Sequence, residues 1–178
     1  PATPGYHCIL GTFNYMNTEF PFCSGIFLPE SYFNSKGLLP LITTLHNVVG
    51  QHGGVVDDRE HVTAEGMALL MLKDIGSDTR HSGEWPAVRF SPNKNANYIG
   101  LIPQCPKDRG FSGMPMSGVI IELINWLEKN YRMDPDRVYL TGFSYGGSST
   151  WAVAQQFPEK FAAIAPLSAR LAPTPEQS

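Results

Sequence analysis

The sequence contains no apolar run approaching the length of about 18 residues that crosses a bilayer as a helix. Its opening, PATPGYHCIL, also lacks the basic and apolar blocks of a secretory leader. A soluble protein without a membrane span is expected. Because the first residue is Pro rather than Met, removal of an upstream segment is compatible with the sequence, and the compartment stays open, secreted or periplasmic included. No block of Lys or Arg stands out against a net charge of -3, so the footprint of a nucleic-acid binder is missing. Cysteine is scarce. Cys8, Cys23 and Cys105 include no C-x-x-C pair, which argues against a redox or zinc motif and leaves a Cys8–Cys23 bridge open. The five histidines show no metal-ligand spacing, and no G-x-G-x-x-G or P-loop occurs. No metal and no cofactor is expected, and the ligand should be neutral or weakly polar.

Apolar residues make up 42% of the 178 and charged ones 16%, which suits a single globular domain over 1–178 with a sizeable core. Short apolar runs bounded by Gly, Pro or polar turns read as buried strands: Gly25–Pro29, Leu39–His46, Asn97–Pro103, Arg137–Gly142 and Phe161–Leu167. Met116, Ile120, Leu123 and Leu127 recur at helical spacing, with Ser117 as the expected N-cap. Trp151–Phe157 reads as a helix stopped by Pro158, and Asp57–Lys73 as another. Strands alternating with helices predict a three-layer α/β fold on a mainly parallel sheet. The polar stretch at about 76–97 reads as a surface insertion.

Within VYLTGFSYGGSSTWAVAQQFP, Ser144 lies between Gly142 and Gly146 at G-x-S-x-G spacing. The pattern alone is weak, but a strand precedes it and a helix follows, which is the setting of a nucleophile elbow. A serine on so tight a turn takes a strained backbone, and side chains at Gly142 or Gly146 would collide with the neighbouring strand or helix. The helix beginning there also aims its N–H groups at the place where an oxyanion forms during acyl transfer.

The stretch DPDRVYLTGFSYGGSSTWAVAQQFPEKFAAIAPLSA resembles the elbow region of the α/β-hydrolase superfamily. The likeness is to the esterase branch that includes feruloyl-esterase-like and polyhydroxybutyrate-depolymerase-like enzymes and peptidases related to prolyl oligopeptidase. It rests on Asp134, Asp136, Arg137, Gly142, Ser144, Gly146, Gly147, Trp151, Phe157, Pro158 and Phe161. Upstream, FLPESYFNSKGLLPLITTLHN and IGLIPQCP resemble earlier strands of that fold. The resemblance implies a serine esterase acting on a small-molecule or polymer-derived ester, with a serine peptidase as the alternative. It also implies an oxyanion hole made by the Tyr145 N–H and an N–H of the loop after His46. That loop reads HNVVGQHGG, with Asn47 where the family usually has glycine; Asn tolerates positive φ well. His46 itself reads as a residue bracing the loop, and Cys105 as a buried apolar one.

The order Ser, then acid, then His that this superfamily uses is not completed here. His7, His46, His52, His61 and His81 all precede Ser144, and only Glu159 and Glu176 follow it. Three explanations compete. The C-terminal strands, with the catalytic Asp and His, lie on a segment absent from this chain; or His52 or His81 supplies the base; or the chain is a non-catalytic binding or scaffold fragment. An exposed sheet edge would then pair with the missing segment or with a second copy.

Overall fold

The computed structural model describes residues 3–46, 96–105, 110–111, 113 and 115–170. Two strands open the chain, β1 (Gly5–Tyr15) and β2 (Thr18–Leu28), paired antiparallel from Gly5 opposite Leu28 to Tyr15 opposite Thr18. Met16 and Asn17 join them at φ 51° and 61°. Positive φ at both central residues is the turn geometry whose twist matches that of the flanking strands. The sequence reading found only the end of β2, because this turn carries no glycine to announce it.

After a short helix α1 (Glu30–Asn34), β3 (Leu39–Leu45) enters the middle of the sheet. It lies parallel to both β4 (Ile99–Gln104) and β5 (Met133–Phe143), and β6 (Ala163–Leu167) lies parallel to β5. The strand order is β1-β2-β4-β3-β5-β6, with β2 antiparallel to β4. Every residue of β4 is buried, which is why it reads as a continuous apolar run rather than an alternating one. The mainly parallel sheet expected from the sequence is present, extended by an antiparallel hairpin on one side.

Helix α2 (Met116–Asn130) follows β4 in the chain and covers the sheet, burying Ile120, Leu123, Ile124 and Leu127 in one cluster with Leu41, Ile99, Leu101, Val138 and Leu140. Its start corrects the sequence reading. Pro115, not Ser117, is the N-cap, and no side chain caps the helix. Ser117 lies buried inside the first turn, where its hydroxyl bonds back to the Gly113 carbonyl at 3.0 Å and lies 2.8 Å from Oε1 of Gln156 on the next helix. A serine one residue inside a helix has both options, and the tertiary partner decided the outcome.

Helix α3 (Tyr145–Gln156) then crosses from β5 to β6, ending just before Pro158 as expected. At the opposite, N-terminal edge of the sheet Asp134 accepts the Asp136 N–H at 3.0 Å and the Arg137 guanidinium at 2.6 Å. The hydrogen bond from Arg137 holds the Asp134 carboxyl below the usual carboxylate range. The expected helix at Asp57–Lys73 and nearly all of the expected insertion at 76–97 lie outside the described residues. Among those described, no helix is long and apolar enough to cross a membrane.

Candidate active site

Ser144 occupies the junction where β5 ends at Phe143 and α3 begins at Tyr145. Its backbone takes φ 55° and ψ -113°. The positive φ is rare for a residue with a Cβ, and the ψ lies outside the left-handed helical well too. Such a conformation costs on the order of 1–3 kcal/mol and persists only where the surroundings over-determine it.

The surroundings do so here. The Ser144 N–H donates to the Leu167 carbonyl on β6 at 2.9 Å, and the Ser144 carbonyl accepts the Ser148 N–H of the first helical turn at 3.0 Å. A Cβ on Gly142 would stand 2.5 Å from the Gly146 carbonyl carbon and 2.9 Å from the Leu45 oxygen. One on Gly146 would stand 2.7 Å from the His46 oxygen and nearer still to that of Leu45. The absence of side chains at these two glycines is what lets α3 start against β3, leaving the half-buried Ser144 at the C-terminal ends of β3, β5 and β6.

Tyr145 opens α3, so its N–H is among the first-turn donors that a helix leaves without an intrahelical acceptor. Asn47, expected near the second oxyanion donor, lies outside the described residues. His46 directly precedes it and is buried. Its Nε2 accepts the Cys105 backbone N–H at 2.9 Å, and its ring packs edge-on against Phe111 at 4.8 Å between centroids. The imidazole therefore joins the ends of β3 and β4, on the side of β3 away from β5. Cys105 is fully buried, as the sequence reading expected.

This arrangement makes His46 a brace. Replacing it with alanine leaves the buried Cys105 N–H without that acceptor, a penalty of about 1–3 kcal/mol. We expect His46→Ala to lower the denaturation midpoint in urea accordingly, while Ser144 remains reactive toward an active-site probe in the folded fraction.

No base or acid for Ser144 emerges among the described residues. His7 lies on β1, four strands from β5 in the sheet, or roughly 19 Å at the usual interstrand spacing. Its Nε2 lies 2.8 Å from the Thr3 carbonyl. Glu159 sits in the turn that leads into β6, at the end of that strand opposite Ser144. His52, His61, His81 and Glu176 lie outside the described residues, which also contain no group of three or more metal-ligating side chains.

Two residues of the elbow escaped the sequence reading. Ser148, on the first turn of α3, accepts the Arg170 backbone N–H at 3.0 Å, and Ser168, just after β6, has φ 49°. Neither carries a sequence signal, since serine is ordinary in a helix and gives no sign of positive φ.

The Esterase family model matches residues 15–176. A stretch of 49 residues is 43% identical to the bifunctional acetylxylan esterase/xylanase XynS20E of Neocallimastix patriciarum, covering 28% of this chain and 7% of that protein. Among solved structures, the chain is similar to a thermostable esterase with a TM-score of 0.59 at 23% identity, covering 91% of this chain and 40% of that one. An acetyl xylan esterase from Aspergillus awamori aligns with a TM-score of 0.56 at 17% identity over 88% of this chain and 50% of that one. A ferulic acid esterase from Anaeromyces mucronatus aligns with a TM-score of 0.55 at 14% identity over 98% and 64%. The chain thus spans between 40% and 64% of the length of these three solved esterases. At such identities the likeness is one of fold, and the match over most of the sequence gives the family: the chain belongs to the Esterase family, with the α/β-hydrolase fold.

Proposed function

We propose that this chain carries the nucleophile portion of a serine esterase acting on carboxylic esters. The backbone of Ser144 carries the reading: a non-glycine residue held at φ 55° on a strand-to-helix junction, at the mouth of a helix N-terminus. A strained serine there is what acyl transfer uses, because the tight turn exposes the hydroxyl and the helix supplies donors for the oxyanion.

In the proposed reaction the Ser144 Oγ attacks the ester carbonyl carbon as its proton passes to an imidazole. The carbonyl oxygen becomes an oxyanion held by the Tyr145 N–H and by an N–H near Asn47. Collapse breaks the bond to the leaving alcohol, which takes the proton from the imidazolium and leaves an acyl-serine. Water, deprotonated by the same imidazole, then releases the acid and restores Ser144. The described residues bring no histidine or carboxylate to Ser144, so the proposal assigns the base and its acid to residues other than those described. Membership of an esterase family and similarity to proteins named acetylxylan and ferulic acid esterases favour an oxygen ester of a small acyl group over a peptide.

The test uses the full-length protein that contains this chain. A fluorophosphonate probe should label Ser144 covalently, and p-nitrophenyl acetate, acetylated xylan and methyl ferulate should separate short acyl from feruloyl specificity. Absence of both labelling and turnover in the full-length protein overturns the esterase reading and leaves a non-catalytic binding role.

A further inference from the structure

A second strained serine stands beside the first. Leu167 and Phe143 are register partners at the ends of β6 and β5, so Ser168 at φ 49° and Ser144 at φ 55° follow adjacent strands. The chain beyond Ser168 returns to α3: the Arg170 N–H donates to the Ser148 Oγ at 3.0 Å. At the other end of the same short segment, the Leu167 carbonyl accepts the Ser144 N–H at 2.9 Å. Between these bonds the backbones touch, since a Cβ on Gly147 would lie 3.2 Å from the Leu167 nitrogen and closer still to its oxygen. Residues 167–170 therefore grip the elbow twice, once on Ser144 itself and once on the residue one helical turn beyond it.

The conformation of Ser144 is costly by itself, so something must hold it. The Leu167 carbonyl does this directly, but it belongs to the last residue of β6, where the pairing with β5 ends. Ser148 ties down the far side of the turn that follows.

We propose that Ser148 is a positioning residue for Ser144: by holding the Arg170 backbone against α3, its hydroxyl keeps the Leu167 carbonyl on the Ser144 N–H and the nucleophile in its strained geometry. The inference rests on Ser144 being the nucleophile, and the experiment separates the two. In the full-length protein, Ser148→Ala should slow fluorophosphonate labelling and lower kcat by roughly 3- to 10-fold, the worth of one hydrogen bond, with KM unchanged. Ser148→Thr, which keeps the hydroxyl, should restore both. Arg170→Ala should behave as wild type, because only its backbone is used. Equal labelling and kcat in Ser148→Ala and wild type overturn the positioning role while leaving the nucleophile in place, and so does a Ser148→Thr variant as slow as Ser148→Ala. A wild-type protein that does not label overturns the nucleophile assignment instead. Should Ser148→Ala not fold, amide hydrogen exchange of the wild type decides: the Arg170 N–H must be protected, and exchange as fast as in an open loop refutes the clamp.

Discussion

Ser144→Ala is expected to abolish fluorophosphonate labelling and to reduce ester turnover of the full-length protein on the order of 10⁴-fold or more, while its denaturation midpoint stays close to that of wild type. The size follows from what is removed. A nucleophile acts as a unit with its base, so deleting it forfeits the whole covalent pathway and leaves only oxyanion stabilisation and binding. Stability should hold, or rise slightly, because alanine still has the Cβ that the junction accommodates and loses only a half-buried hydroxyl. Stopped-flow or endpoint hydrolysis of p-nitrophenyl acetate together with urea denaturation would check both halves. A variant that keeps more than a few per cent of the wild-type rate would show that Ser144 is not the attacking group.

Gly146→Ala should do the opposite and damage stability first. Its new Cβ meets two backbone oxygens, those of Leu45 and His46, at separations that real Cβ atoms do not show. Backbone in the middle of a sheet cannot rotate aside as a side chain can, so α3 must lift away from β3. Overpacking typically costs about 1–3 kcal/mol, and a clash with two backbone carbonyls at the end of a central strand belongs at or above about 3 kcal/mol. Lifting the helix also moves the Tyr145 N–H and releases the constraint on Ser144, so labelling should fall together with stability. Ser144→Ala loses chemistry and keeps the fold, whereas Gly146→Ala loses both. Wild-type stability in Gly146→Ala, measured by its urea midpoint, would mean that the close approach of α3 to β3 is not as described.

The parts of the fold that were readable had a local cause. β3, β4 and the second half of β5 are apolar runs because strands inside a parallel sheet are covered on both faces, and α2 shows its buried stripe at helical spacing. The Gly142, Ser144, Gly146 pattern likewise reports a local demand, two close backbone approaches around one strained residue. Where the demand was not local, the reading stopped. The turn at Met16 and Asn17 takes positive φ without a glycine because eleven paired residues on each side hold it. Ser117 left the capping role because Gln156, 39 residues away, offered its hydroxyl a partner.

For the site, the residues by themselves determined where the strained serine stands, the glycines that make room for it and the order of strand, turn and helix, since each is imposed by neighbours in the chain. Only the tertiary structure decided that the end of β3 and the residue after it supply the two carbonyls crowding Gly146 and that His46 is spent on the Cys105 backbone. It alone also set Glu159 at the wrong end of β6 and wrapped residues 167–170 over the elbow. These are contacts between segments far apart in sequence, fixed by strand order and register. A one-dimensional pattern carries no record of which carbonyl will face which helix.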